Sequence, residues 1–252
     1  MPITTKSARE IEIMKYAGYI VAHTLDFIKP FLKPGISTLE IDRLCHKHIE
    51  ELGAVPNFLN YNGFPNAVCT SVNEVLVHGI PSKDTILKNG DIITIDCGAL
   101  YKGYHSDGAW TFEIGDVDEK VKQLLEVTKL SLFNGLSVIK PGVRIGDISY
   151  AIGQTIKPYG FGIPLDYSGH GIGRNLHEDP AVLNDGVAGR GLILKEGMTF
   201  CVEPMVHLGR PSTQVLADGW SVVSKDRSIT AHFEHMVVVT KTGYEILTTL
   251  DS

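Results

Sequence analysis

Six side chains able to bind a metal ion or move a proton recur as pairs along this 252-residue chain. Asp96 closes the apolar run Ile92-Ile93-Thr94-Ile95, and Glu203 closes Thr199-Phe200-Cys201-Val202. Asp107 ends His105-Ser106-Asp107, and Glu234 ends His232-Phe233-Glu234. His78 and His170 each stand before Gly-Ile. Singly, each has a plain structural reading, as a turn carboxylate or a core histidine. As a set they do not. Four carboxylates brought to one place repel one another and cannot all stay ionised. A pair of divalent cations about 3.5–4 Å apart, bridged by carboxylates as in dinuclear hydrolases, removes that repulsion.

The pairing is part of an internal repeat. Lys33-Pro34-Gly35 recurs 107 positions on as Lys140-Pro141-Gly142. Ile41, Leu44, Ile49 and Gly53 recur at the same offset as Ile148, Ala151, Ile156 and Gly160, and LKNGDIITID (87–96) as LKEGMTFCVE (194–203). One such match arises by chance; several in one order at one offset do not. The chain reads as a single catalytic domain over 1–252, built from two halves at about 33–115 and 140–243, each giving helix, strand, strand. Halves that share a core face each other across a pseudo-two-fold axis, and their equivalent strand ends meet near it.

Apolar positions at helical spacing predict a helix from Ser7 to about Leu32, stopped by Lys33-Pro34-Gly35. Ser37-Thr38-Leu39-Glu40 has the form of a capping box opening a second helix that ends at Gly53. A third runs over about 118–139. Strands are expected in DIITIDCGAL, AWTFEIG, GMTFCVEP and HMVVVTKTG. A net charge of −6 without a long basic run leaves no footprint for direct nucleic-acid binding. No apolar run approaches a membrane span, and MPITTKSAREIEIMK lacks a signal-peptide core, so no membrane is expected. Cys45, Cys69, Cys97 and Cys201 are scattered without a CxxC pair. That predicts reduced thiols in a cytoplasmic protein, with no disulfide or structural zinc.

Gly169–Pro180, GHGIGRNLHEDP, combines closely spaced glycines with two histidines. A dinucleotide fingerprint needs GxGxxG after a strand, and here GxGxG follows Pro164-Leu165-Asp166-Tyr167. A zincin needs HExxH, and no histidine stands four residues after His177. What remains is a glycine-flexed loop carrying His170 and His177 into one pocket. His105, Ser106 and Asp107 cannot form a hydrolase relay, because neighbours in an extended segment point to opposite faces.

With these residues placed, the chain resembles the methionine aminopeptidases, in particular their short type I bacterial form, over roughly residues 7–247. The segments that carry the resemblance are NEVLVHGIP, DIITIDCGALYKGYHSD, GHGIGRNLHEDP, TFCVEP and DGWSVVSKDRSITAHFEH. The resemblance implies an α+β pita-bread fold, with antiparallel strands at the pseudo-symmetric centre and helices outside. It implies Asp96, Asp107, His170, Glu203 and Glu234 as ligands of two divalent ions, drawn from cobalt, manganese, iron(II) and zinc. Asp107 and Glu234 would bridge, Asp96 would serve one ion, and His170 with Glu203 the other. A water shared by the ions would attack the first peptide carbonyl. His177 would bond that carbonyl and the developing oxyanion, His78 would touch the amide on the leaving side, and Glu203 would shuttle the proton. The implied reaction is removal of the initiator methionine from nascent proteins and peptides, with a small second residue preferred. The implied setting is a monomer in the cytoplasm, in transient association with the ribosome.

The two halves differ at one place. Gly53 to His78 spans 25 residues, Gly160 to His170 only 10, and the excess falls on the aromatic-rich AVPNFLNYNGFPNAV. An insertion beside a symmetric site is suited to substrate specificity. The resemblance implies that Tyr61, Phe64, Cys69 and Trp220 line the methionine pocket; the plain reading is that Phe58, Tyr61 and Phe64 only pack the loop. The chain departs from the pattern of some relatives: Phe58 stands where a small cysteine can occur, Phe64 replaces a tyrosine and Leu176 an aromatic. Three other readings carry different expectations. A proline-specific peptidase on this fold would bring an extra N-terminal domain, and about 77 residues precede His78. A type II enzyme would bring a helical insertion, for which the 31 residues from Glu203 to Glu234 leave no room. A non-catalytic peptide- or ribosome-binding relative would be expected to lose some of the five ligands.

Overall fold

The computed structural model describes residues 3–251, so Met1, Pro2 and Ser252 of the expected domain lie outside the described residues. Helix α1 (Ala8–Ile28) buries Met14, Ala17, Val21 and Ile28 along one face. Its start is a full capping box that the sequence reading did not single out: Ser7 Oγ accepts from the Glu10 amide, and the Glu10 carboxylate accepts from the Ser7 amide at 2.8 Å. It ends earlier than expected, because Pro30 cannot donate within a helix and tightens the chain into a 3₁₀ turn, Lys29–Phe31. Helix α2 (Thr38–Glu51) carries only half of the box expected there. Ser37 Oγ accepts from the Glu40 amide at 3.2 Å, while the Glu40 carboxylate turns outward to within 3.8 Å of Arg43. Helices α3 (Glu119–Ser137) and α4 (Ile145–Ile156) complete the helical layer. None of the described helices is long and apolar enough to cross a membrane.

The repeat is carried by hydrogen bonds as well as by residue types. The Gly35 amide donates to Leu87 O at 2.8 Å and the Gly142 amide to Leu194 O at 3.0 Å. The Leu87 amide donates to Ile36 O and the Leu194 amide to Val143 O, at 2.9 and 2.8 Å. Ser37 bridges to Ile86 as Arg144 bridges to Ile193. All these pairs are related by the offset of 107 read from the sequence.

Alternation along the strands decides which side chains meet the helices. In the strand Ile92–Tyr101, Ile93, Ile95 and Cys97 pack with Ile20, Val21, Ile41 and Ile49 beneath α1 and α2. In Thr199–Val202, the equivalent Phe200 and Val202 pack with Leu132, Leu136, Ile148 and Ile152 beneath α3 and α4. Asp96 and Glu203 are one residue out of phase with these rows. They therefore face the middle of the molecule, where a third apolar cluster (Met14, Phe64, Cys69, Ile172, Leu176, Cys201) lies.

The halves differ in strand continuity. Ile92–Tyr101 and Tyr104–Glu113 pair antiparallel along their whole length, from Ile92–Glu113 to Tyr101–Tyr104. Their counterparts are each broken in two. Thr199–Val202 pairs with His235–Val239, and Met205–His207 pairs with Thr230–His232. Pro204 has no amide proton to continue the ladder, so Glu203-Pro204 and Phe233-Glu234 occupy facing gaps. The two hairpins are joined where the gaps fall: the Glu234 amide donates to Ala109 O at 2.9 Å, and Thr111 Oγ1 donates to His232 O at 2.7 Å.

Gly18, in the middle of α1, allows the helix to lie directly on the backbone of Leu247 and Thr248; an added Cβ would land on the Leu247 carbonyl oxygen. The variant Gly18→Ala is expected to lose stability despite its better helix propensity, by about 1–3 kcal/mol, or several degrees in Tm. A Tm equal to or above the parent, measured by circular dichroism, would show that this close approach does not constrain the packing.

Candidate active site

The eleven site residues expected from sequence all line one cavity of about 480 Å³. Asp96 and Asp107 come from neighbouring strands of the unbroken hairpin. Asp96 pairs with Ala109 and Asp107 with Gly98, which puts the two carboxylates diagonally on one face. Glu203 and Glu234 enter from the facing gaps of the second half. His170 lies in the short strand Gly169–Gly171, its Nε2 3.7 Å from Asp107 Oδ2 and 3.5 Å from Glu203 Oε1. Its Nδ1 is 3.0 Å from Gly171 O, so Nδ1–H donates there and the Nε2 lone pair faces the carboxylates.

The segment carrying His170 is not a flexed loop. None of Gly169, Gly171 and Gly173 has positive φ. Gly169 and Gly171 lie in a strand where a Cβ would meet the carbonyls of Cys201 and Asp179. The glycines serve close backbone approach, and the strand holds His170 in place. His78 has the reverse arrangement. Its backbone is left-handed, at φ 59°, a conformation that L side chains adopt only under constraint. Gly79 then sits against the Thr70 carbonyl and keeps His78 at the cavity wall.

Electrostatics set the chemistry. Asp107, Glu203 and Glu234 are 4%, 8% and 3% exposed. Burial pushes the Asp96 pKa to about 7, against a hydrogen bond with Asp107 that favours its ionised form. Burial, then the charges of Glu234 and Asp96, pushes Asp107 well up. Burial, then Asp107 and Asp96, does the same to Glu203; burial, then Glu203 and Asp96, to Glu234. Oxygens of all four lack a hydrogen-bond partner. Burial also holds His78 and His170 near 4, with His177 adding to both, so these rings are neutral around pH 7. Partnerless carboxylate oxygens beside a neutral imidazole nitrogen are the donor set of a divalent cation site.

Among the described residues, two sets have ligand atoms that lie within 4.8 Å of one another inside each set: Asp107, His170, Cys201 and Glu234, and Glu203, His232 and Glu234. Asp96 is in neither group and stands beside Asp107. His232 is the residue that sequence reasoning passed over. It was visible only as the repeat partner of His105, which lies elsewhere, against Asn57 at 3.1 Å. Ser106 points away from the cavity, its Oγ donating to Ala17 O at 2.8 Å, so no relay forms with Asp107.

At the other end of the cavity, His177 and Tyr61 meet, with 2.8 Å between His177 Nδ1 and Tyr61 Oη. The His177 ring is centred 4.2 Å from that of His170. Phe64 packs edge-on against Trp220 at 5.2 Å, and His78 stands edge-on to Trp220 at 6.3 Å. Cys69, Phe58 and Leu176 close this apolar end; all three are buried. Phe58, Phe64 and Leu176 thus belong to one apolar cluster lining the cavity.

Residues 12–241 match the model of metallopeptidase family M24. The chain is 48% identical to methionine aminopeptidase 1 of Bacillus subtilis, over 98% of this chain and 99% of that protein. The crystal structure of methionine aminopeptidase from Thermotoga maritima superposes with a TM-score of 0.97 at 43% identity, covering 98% of this chain and all of that one. A prolidase from Pyrococcus furiosus shares the fold at a TM-score of 0.78 and 24% identity, and the chain spans 66% of its length. The fold is therefore the pita-bread arrangement, and the chain belongs to metallopeptidase family M24 and, within it, to the methionine aminopeptidases.

Proposed function

We propose that the protein removes the N-terminal methionine from peptides and nascent chains by metal-assisted hydrolysis, with a small second residue preferred. The observation that carries this reading is the set of four crowded carboxylates, three buried and Asp96 half-buried, with partnerless oxygens, in a cavity that also has an apolar wall. Asp96, Asp107, His170, Glu203 and Glu234 would hold two divalent ions. When bound, such ions neutralise the carboxylates, polarise the peptide carbonyl and bring a water to ionisation near neutral pH.

The remaining steps belong to the chain's own groups. Phe58, Phe64, Cys69, Leu176 and Trp220 take the thioether side chain and exclude water from it. Tyr61 Oη donates to His177 Nδ1, which leaves Nε2–H directed at the carbonyl oxygen of the substrate. His78, kept neutral by burial, meets the amide on the leaving side. Glu203 takes a proton from the attacking water and passes it to the departing amine. Free buried thiols at Cys45, Cys69, Cys97 and Cys201 suit a reducing compartment, which supports action in the cytoplasm on chains leaving the ribosome. Both halves of the site come from one chain, in one catalytic domain with repeats at about 33–115 and 140–243. A monomer is therefore sufficient.

After chelation and return of metal, the protein should release free methionine from a Met-Ala peptide and not from Met-Lys. The double variant His170→Ala/Glu203→Gln should lose at least about 10²–10³-fold in kcat. Methionine release that survives either chelation or this substitution would remove the metal-assisted reading, and intact peptide binding by a wild-type protein without turnover would favour a binding role. Tyr61→Phe should lower kcat by about 10–100-fold with a smaller change in KM; unchanged kcat would reduce Tyr61 to packing.

Chelation also exposes a pH dependence. The raised carboxylates bind protons in the folded state that they release on unfolding, so stability is present at low pH and is lost as pH rises toward their folded values. The depressed histidines act oppositely, but only below about 6.5. The Tm of metal-free protein should therefore fall between pH 6.5 and 8.5, and added cation should flatten the curve. A metal-free Tm that rises over this range would contradict the crowding of acidic groups.

A further inference from the structure

Beyond the five side chains assigned to the cations, His232 in the cavity wall has the chemistry of a ligand and no hydrogen bond to either ring nitrogen. His232 ends the strand Thr230–His232, with its side chain 2% exposed. Neither ring nitrogen has a hydrogen-bond partner. Nε2 lies 3.7 Å from Glu203 Oε2 and 3.8 Å from Glu234 Oε2, too far for hydrogen bonds. Those separations match the ones His170 makes with Asp107 and Glu203, 3.7 and 3.5 Å. Donors on one ion with bonds near 2.1 Å stand about 3–4 Å apart.

The ring is also placed by design of the backbone. The His232 amide donates to Thr111 Oγ1 at 3.1 Å, and its carbonyl accepts from that hydroxyl at 2.7 Å. On the other side the residue pairs with Met205. Both strands therefore hold the imidazole at the gap occupied by Glu203 and Glu234. Glu203 presents Oε1 to His170 and Oε2 to His232, so two imidazoles flank one carboxylate.

We propose that His232 is a sixth protein ligand, giving a second imidazole nitrogen to a divalent cation held with Glu203 and Glu234. The inference rests on the reading of this cavity as a cation centre. A second imidazole shifts the preference of the centre away from manganese and toward cobalt, iron(II) and zinc.

The test is proton NMR of chelated full-length protein loaded with cobalt(II). A coordinated imidazole gives a strongly shifted, solvent-exchangeable ring N–H signal. Wild type should show two, from His170 and His232. His232→Gln or His232→Asn should lose one, while His177→Ala retains both. Calorimetric affinity for cobalt(II) should fall at least about 10-fold in the His232 variants, and affinity for manganese(II) less. A single shifted signal in wild type, unaltered by either His232 variant, overturns the sixth ligand and leaves the centre standing. The absence of any shifted ring signal overturns the centre as well.

Discussion

Carboxylates repel one another most where water is excluded; Asp107, Glu203 and Glu234 are buried together, and Asp96 stands half-buried beside them. Isolated burial of even one such charge is unfavourable by several kcal/mol, and removal of its counter-charge leaves that cost uncompensated. The centre of this protein is thus a region that the rest of the fold must hold together until cations balance it. Two apolar clusters, one beneath each helix pair, supply that restraint from opposite sides. The hydrogen bonds from Glu234 to Ala109 and from Thr111 to His232 then fix the halves at the point of greatest repulsion.

Duplication makes such a centre accessible. A strand that buries alternate residues under its helix carries the next residue to the opposite face, and a second copy related by an approximate dyad brings that residue's counterpart to the same place. Ile93 and Ile95 under one helix pair, Phe200 and Val202 under the other, imply Asp96 and Glu203 between them. The acidic cluster is a geometric product of two amphipathic hairpins meeting face to face. The part that was not duplicated, the segment bearing Phe58, Tyr61 and Phe64, lines the same cavity as the duplicated acids.

This is also why so much of the fold is legible in the sequence alone. The offset of 107 survives because the turns at Gly35 and Gly142 need the same bonds to Leu87 and Leu194. The acidic pairs could be placed because alternation has a fixed period. What escaped had no such period. Glycines at 169 and 171 look alike whether they bend a chain or let two backbones touch, and only the position of Cys201 and Asp179 separates the cases. Ser37 had the residues of a capping box and formed half of it, while Ser7 formed the whole. His232 was concealed by its repeat partner, since His105 lies against Asn57 and offers no hint of a buried ring.

The broken hairpin has a mechanical consequence. Asp96 and Asp107 ride on two uninterrupted ten-residue strands, whose ladder transmits any displacement along its length. Glu203 and Glu234 sit at strand ends, where few peptide bonds are committed to a ladder. One jaw is a continuous ladder, and the other is two strand ends tied to it by the Glu234 amide on Ala109 O and by Thr111 on His232 O. Any adjustment to an ion of different radius would therefore fall on the side chains of Glu203 and Glu234 rather than on the ladder that carries Asp96 and Asp107.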